Sequence, residues 1–162
     1  MLIISLCVAL AVAGCGSSDD STSSTGETTS SSSPSSDVST NLKAKPKVTV
    51  PSGGPPKKLE EVDIVEGDGA EAKEGDEVTV QYVGVGYDSK EEFDSSWSRG
   101  EPSTFSLEEV IPGWNQGIAG MKVGGRRELT IPASLAYGPT GSPPVIGPNE
   151  TLIFVVDLLA VK

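Results

Sequence analysis

The stretch DEVTVQYVGVGY, residues 76–87, decides the fold because its side chains alternate as they do in a β-strand. One face carries Val78, Val80 and Tyr82, while the opposite face includes Thr79 and Gln81. Alternation over this length predicts a strand with one face buried against a core and the other face less buried.

Weaker patterns on either side of this stretch predict further strands. They cover residues 59–66, 105–107, 127–131 and 150–161. In the last segment the apolar set that would face one way is Leu152, Phe154, Val156 and Leu158. Short strands joined by turn signals such as Gly67-Asp68-Gly69 favour antiparallel pairing.

One short helix is predicted after Pro112-Gly113. Trp114, Ile118 and Met121 lie at i, i+4 and i+7, which gives one apolar stripe. Gly117 and Gly120 weaken the helix, so tertiary packing must hold it. Four or five strands with one short helix predict an α+β domain over residues 59–162.

Composition excludes several classes of function. The chain has 162 residues and a formal net charge of −11, which argues against binding to nucleic-acid phosphates. It has no His, so a Ser-His-Asp or Cys-His nucleophile and a His-containing metal site are excluded. We therefore expect no metal and no other cofactor. Apolar residues make up only 36%, which indicates that part of the chain lies outside the core.

The first 14 residues are typical of an export signal. Leu2–Ala13 is almost unbroken apolar sequence, but it is shorter than the roughly 20 residues that span a bilayer. It ends in Val12-Ala13-Gly14-Cys15, which resembles the bacterial lipobox and would make Cys15 a diacylated N-terminus. An ordinary signal cut near Gly14, or a buried apolar strand, is the alternative. No Lys or Arg precedes the apolar run, unlike most export signals.

Residues 15–58 are predicted to be a disordered spacer that begins at the lipidated Cys15. Fifteen of the 21 residues from Gly16 to Ser36 are Ser or Thr, and none is large and apolar. Prolines and lysines dominate the remainder. About 40 flexible residues would reach on the order of 35 Å. The functional interpretation is a stalk that holds a domain off the membrane, and the alternative is a Ser/Thr-rich linker with no other task.

Several motifs resemble the FKBP-type peptidyl-prolyl cis–trans isomerases, which also bind the macrolide rapamycin. They are, in order, Glu92-Phe93-Asp94-Ser95-Ser96, Glu109-Val110-Ile111-Pro112-Gly113-Trp114, Gly120-Met121-Lys122-Val123-Gly124, Ile131-Pro132, Leu135-Ala136-Tyr137-Gly138 and Thr151-Leu152-Ile153-Phe154. The resemblance covers nearly all of residues 59–162. It implies a curved antiparallel sheet wrapped around one short helix, with a shallow apolar pocket between them.

The resemblance also implies a role for each pocket residue. Trp114 would form the floor, and the Tyr137 hydroxyl and the Ile111 N–H would donate hydrogen bonds to substrate carbonyls. Asp94 would lie near the twisting carbonyl, in a network with Arg99 and the Tyr82 hydroxyl. The remaining binding residues would be Phe93, Phe105, Val110, Val145, Ile146 and Phe154.

Each assignment has a structural alternative. The aromatic residues Trp114 and Phe154 could serve core packing alone. Asp94 could cap a turn, Arg99 could form a weak surface ion pair, and Tyr137 could anchor a loop. Two positions depart from the family. Ser103 stands where an aromatic residue is common, which should open one wall and weaken macrolide binding. Ser142 replaces a frequent His in the loop that covers the pocket.

The leading hypothesis is a monomeric isomerase of X-Pro bonds, lipid-anchored to a bacterial membrane and active on exported proteins. Its partners would be proline-containing polypeptides and rapamycin-type macrolides, with no nucleic acid. A proline-binding or chaperone-like module with little turnover is the alternative. A third possibility is a surface adhesin or structural lipoprotein with a vestigial pocket.

Overall fold

The structure, a computed structural model, describes residues 38–162 and confirms the predicted α+β class. One antiparallel sheet has the order β1-β5-β6-β2-β3, and β4 pairs with the first part of β2. The strands are β1 (Glu60–Val65), β2 (Glu77–Gly86), β3 (Glu92–Ser95), β4 (Ser103–Ser106), β5 (Arg126–Ile131) and β6 (Leu152–Val161). The helices are α1 (Ser96–Arg99) and α2 (Pro112–Ile118), with a 3-10 turn at Ala133–Leu135.

The two long central strands place their apolar sets as the alternation predicts. Val78, Val80 and Tyr82 of β2 are at most 4% exposed, and they belong to the same core cluster as Trp114 of α2. The four residues predicted for β6 join the same cluster, namely Leu152, Phe154, Val156 and Leu158. We call the face of the sheet that packs against α2 the inner face, and the opposite face the outer face.

The glycines of α2 explain how this short helix packs so closely on the sheet. A Cβ on Gly113 would lie 2.3 Å from Ile131 Cγ2, and a Cβ on Gly117 would lie 2.7 Å from Leu129 Cδ2. The close approach to β5 therefore requires glycine at both positions, although glycine weakens a helix on its own. Among residues 38–162 no helix is long and apolar enough to cross a bilayer.

The sequence patterns missed two short elements, β3 and α1. Each has four residues, which is too short for either periodicity to be recognised. Ser95 ends the strand and caps the helix, because its hydroxyl accepts a hydrogen bond from the Ser98 N–H at 3.3 Å. These elements matter because they carry Phe93, Asp94 and Arg99.

Residues 38–58, which we call the strap, lie against the folded domain, where the sequence predicts a free spacer. Arg126 donates hydrogen bonds to the carbonyl oxygens of Ser39 and Ala44, at 2.5 and 3.2 Å. Near the other end of the strap, Gly54 O accepts a hydrogen bond from the Tyr87 hydroxyl at 3.3 Å. Composition indicates that the strap has no core of its own, and the structure agrees, since it contains no helix or strand. Composition does not indicate that the strap packs on another surface.

The outer face of the sheet is apolar and buried. Val83, Val85, Ile153 and Val155 are at most 7% exposed, and the alternation of β2 and β6 places them opposite the core set. Beside them Arg126 and Asp157 form a fully buried ion pair with N–O distances of 2.5 and 2.6 Å. The predicted signal, Cys15 and the first part of the spacer fall in residues 1–37, outside the described residues.

Candidate active site

Five aromatic rings meet on the inner face and form the floor and walls of a concavity. The Trp114 ring lies 5.3 Å from Tyr82, 5.4 Å from Phe105 and 5.2 Å from Phe154, measured between ring centroids. Phe93 packs on Phe154 at 5.5 Å. All four pairs are edge-to-face, with interplanar angles of 84–88°, which is a favourable geometry for aromatic rings.

The cavity has a volume of about 320 Å³ and is open to solvent. It lies where the N-terminus of α2 meets the inner face. The lining consists of Tyr82, Phe93, Asp94, Phe105, Glu109, Val110, Ile111, Trp114, Tyr137 and Phe154. Nine of these ten residues were predicted as site residues from the sequence.

Gly84 of β2 makes room for one aromatic wall. A Cβ at this position would lie 2.7 Å from Phe93 Cζ and 2.8 Å from Phe154 Cε1, both too close. Gly84 is paired in register with Asp94 on β3 and with Phe154 on β6. The missing side chain therefore lets two rings from neighbouring strands meet above β2.

A polar network closes one side of the cavity. The Tyr82 hydroxyl donates to Asp94 Oδ2 at 2.5 Å and accepts from Arg99 Nη2 at 2.9 Å, while Arg99 Nη1 donates to Asp94 Oδ1. Burial, followed by the hydrogen bond to Asp94, raises the pKa of Tyr82 to about 12. The Tyr82 hydroxyl therefore keeps its proton at any physiological pH.

The ion pair between Asp94 and Arg99 is partly exposed. The two side chains are each 43% exposed, so the pair is screened by solvent. Asp94 Oδ1 also accepts a hydrogen bond from the Ser95 N–H at 2.8 Å, at the end of β3. One side chain thus contacts the junction between β3 and α1 and lines the cavity.

Ser103 holds Arg99 and does not line the cavity. Its hydroxyl accepts a hydrogen bond from Arg99 Nη2 at 3.0 Å. Phe105, two residues later on β4, points to the same side and packs on both Tyr82 and Trp114. Phe105 therefore supplies an aromatic wall on this side of the cavity.

Three hydrogen-bond donors at the cavity have no partner within residues 38–162. The Ile111 N–H lies just before α2 and makes no hydrogen bond in the described part of the chain. The Tyr137 side chain is 42% exposed, and its hydroxyl makes no hydrogen bond there either. Trp114 Nε1 is buried and unpartnered. The Ile111 N–H and the Tyr137 hydroxyl can each donate to a carbonyl oxygen of a bound chain, whereas the Trp114 Nε1 atom is buried away from it.

Two of the predicted wall residues do not line the cavity. Val145 is 60% exposed, whereas Ile146 is buried in the core cluster. The loop that carries them is held by backbone hydrogen bonds between Ser142 and Ile146. Ile146 thus belongs to the core rather than to the cavity wall.

Glu109 is the first residue of the motif that ends at Trp114, and the sequence predicted no role for it. The structure places this residue in the cavity lining, next to Val110 and Ile111. Its position directly before two predicted pocket residues was the available signal.

A family model for FKBP-type peptidyl-prolyl cis-trans isomerase matches residues 69–159. The chain belongs to this family. An FK506-binding protein of Streptomyces anulatus is 58% identical over 120 residues, which cover 72% of this chain and 97% of that protein. A probable FK506-binding protein of Corynebacterium glutamicum is 54% identical over 117 residues, covering 72% and 98%.

Solved structures of FKBP-type proteins share the fold. The crystal structure of FkpA from Escherichia coli has a TM-score of 0.60 at 48% identity, covering 64% of this chain and 48% of that one. AtFKBP13 gives a TM-score of 0.59 at 38% identity, covering 64% and 93%. The predicted family and enzyme class are confirmed: the chain is an FKBP-type peptidyl-prolyl isomerase.

Proposed function

We propose that the aromatic cavity isomerises X-Pro bonds of exported polypeptides without any covalent step. The main support for the proposal is the cavity, which is formed by five aromatic rings in edge-to-face contact and has unpartnered hydrogen-bond donors at its rim. Such a site offers a bound chain an apolar surface and a few directed hydrogen bonds.

The reaction itself needs no nucleophile. Rotation about an X-Pro amide has a barrier of about 18–20 kcal/mol, because the planar form is stabilised by resonance. Twisting the amide removes the resonance and leaves a less polar group. A dry apolar cavity stabilises this twisted state more than the planar one, which is differential binding. A barrier lowered by about 5.5 kcal/mol gives roughly 10⁴-fold acceleration.

The aromatic residues hold the prolyl ring. Trp114 is 5% exposed and lies at the centre of the ring cluster, where it can serve as the floor. Tyr82, Phe105 and Phe154 surround it as walls. These contacts exclude water from the amide nitrogen, where pyramidal geometry develops.

The rim groups orient the peptide chain around the prolyl ring. The Ile111 N–H and the Tyr137 hydroxyl donate hydrogen bonds to substrate carbonyls on either side of the X-Pro bond that rotates. Asp94, held by Tyr82 and Arg99, lies next to the twisting carbonyl and disfavours the charge of its planar form. The rim donors therefore position the chain, and the effect of Asp94 lowers the energy of the rotated amide relative to the planar amide.

A macrolide of the FK506 or rapamycin type is a second expected ligand of the same cavity. Two close relatives carry the name FK506-binding protein. Ser103 stands where an aromatic residue is common, and its hydroxyl contacts Arg99. Phe105, which packs on Trp114, supplies an aromatic wall on the same side, and this supports macrolide binding at the site.

The proposed location is extracytoplasmic, on a bacterial membrane. Support comes from the sequence alone: an apolar segment at residues 2–13 and a lipobox-like Cys15. Two acyl chains on Cys15 would give stable anchoring. Metabolic labelling with a clickable palmitate, lost in a Cys15→Ser variant, is the expected result, and equal labelling of both proteins would contradict it.

The function is tested by the isomerisation rate of an X-Pro peptide with the soluble chain, residues 16–162. We expect acceleration at submicromolar enzyme and inhibition by rapamycin. Peptide binding without acceleration would replace the proposal with the alternative of a binding module. A chain that neither accelerates nor binds would support a vestigial pocket.

A further inference from the structure

The cavity contains two carboxylates, and only one has a cationic partner. Asp94 is paired with Arg99 and also accepts a hydrogen bond from Tyr82. The carboxylate of Glu109 makes no hydrogen bond or ion pair within residues 38–162, and the residue is exposed at the rim. The rim therefore carries one uncompensated negative charge.

Cations are the minority in this domain, and two of its arginines are paired with acidic residues away from the cavity. Residues 59–162 contain 19 acidic and seven basic residues. Arg126 is buried against Asp157 on the outer face, and Arg127 is paired with Asp63 at 2.6 Å. Among the residues that line the cavity there is no Lys or Arg. An approaching peptide therefore meets a negative potential at the rim.

Glu109 lies in the cavity lining next to a donor that can contact a bound chain. It precedes Val110 and Ile111, and the unpartnered Ile111 N–H is a rim donor for the substrate backbone. An extended chain advances about 3.3–3.6 Å per residue, so residues within two positions of the proline come within reach of this carboxylate.

We propose that Glu109 makes the enzyme select substrates with a Lys or Arg within two residues of the proline. This inference rests on the proposed isomerase function, because it assigns a substrate class to the same cavity. The attraction acts between exposed charges, so it is modest and screened by salt. Asp94 adds little to it, since Arg99 balances its charge.

The test uses peptides that share an X-Pro core and carry Lys, Gln or Glu two positions before or after the proline. Both kcat/KM for isomerisation and Kd for the peptide are measured. At about 20 mM ionic strength we expect kcat/KM for the better Lys peptide to exceed that of its Glu counterpart by about three- to tenfold. At about 0.5 M salt the ratio should approach one.

Glu109→Gln should reduce the Lys-to-Glu ratio to less than half of its value. Glu108→Gln is the matched control: it removes the same charge from the neighbouring residue, whose Oε1 lies 3.2 Å from the Cβ position of Gly75 and which does not line the cavity. The control should keep most of the ratio.

Equal kcat/KM for Lys and Glu peptides in the wild type would overturn the inference, as would an equal drop of the ratio in both variants. Failure of the proposed function is a separate result. If no peptide is isomerised faster than in buffer, the function fails, while the Lys-to-Glu ratio of Kd values still decides whether Glu109 selects cationic chains.

Discussion

The two faces of the sheet differ in how they are covered. On β2, Tyr82 points to the inner face and the next residue, Val83, points to the outer face. The inner face meets a helix too short to cover it, and an aromatic cavity of about 320 Å³ stays open. The outer face is closed, with Val83, Ile153 and Val155 at most 2% exposed.

The difference separates chemistry from stability. The open face holds aromatic rings that line the cavity and can contact a ligand, so these rings contribute to the free energy of binding. The closed face holds a buried ion pair and buried branched aliphatic side chains, and Arg126 of that pair also donates hydrogen bonds to the strap, so this face contributes to folding stability. Variants of the outer face should change the stability and leave the rate per folded molecule intact, whereas variants of the cavity-lining residues on the inner face should mainly change that rate.

The largest expected effect is that of Asp157→Ala on the outer face. It leaves the Arg126 guanidinium, 0% exposed, without its carboxylate, and a broken buried pair typically costs about 3–5 kcal/mol of unfolding free energy. Chemical denaturation measures the loss. Glu77→Ala, which removes an exposed pair with Lys162, is the control and should cost less than about 1 kcal/mol. Equal costs for the two variants would contradict a buried outer face.

Glu128 on the outer face should make stability depend on pH. Burial raises its pKa from 4.5 to about 7, and the charged groups that share this face are Arg126 with Asp157, which neutralise each other, and Glu60 on β1. Because the folded pKa is the higher one, the contribution is complete below pH 4.5 and is lost as the pH rises to 7. The loss is on the order of 3 kcal/mol.

The comparison that isolates this effect is the unfolding free energy of wild type and Glu128→Gln from pH 4.5 to 7.5. The difference between the two should change across this window, whereas exposed Glu60→Gln should run parallel to the wild type. Parallel curves for Glu128→Gln and wild type would show that this carboxyl is not buried.

Removal of the strap should have the next largest effect. A chain that begins at residue 59 would lack the hydrogen bonds that the strap makes with Arg126 and Tyr87, and we expect a loss of about 2–3 kcal/mol relative to a chain that begins at residue 38. Denaturant midpoints of the two chains measure it. Identical midpoints would mean that the strap adds nothing and that the predicted spacer does extend to residue 58.

Tyr82→Phe on the inner face should have the smallest effect on stability and a clear effect on rate. It removes the hydroxyl between Asp94 and Arg99, and we expect kcat/KM to fall about five- to tenfold. Tyr87→Phe makes the same change on a hydroxyl that contacts the strap, and it should leave kcat/KM unchanged. Equal rate losses would remove the distinction between the faces.

The sequence predicts the inner face better than the outer face. Alternation places Val78, Val80 and Tyr82 correctly, and the resemblance supplies nine of ten lining residues. Alternation is a local signal and the resemblance depends on short motifs. The strands and motifs that carry these signals also supply the residues of the inner face. The same alternation leaves Val83 and Val85 on the second face, which already hints that something covers it.

The strap was missed for a physical reason. It has five Lys, no acidic residue and few large apolar side chains, so its composition matches that of a free chain. Its contacts join Ser39 to Arg126, 87 positions apart, through a backbone carbonyl, which any residue type could provide. Val145 was misplaced for a similar reason, since a loop's path depends on tertiary packing.

If a dry aromatic cavity rotates the amide without proton transfer, kcat/KM should not depend on pH. A neutral X-Pro peptide is followed from roughly pH 5.5 to 8.5, with rates expressed per folded molecule. We expect a profile flat within about twofold, because the chain has no His and the pKa of Tyr82 is about 12. A rate that rises or falls tenfold per pH unit in this range would contradict it.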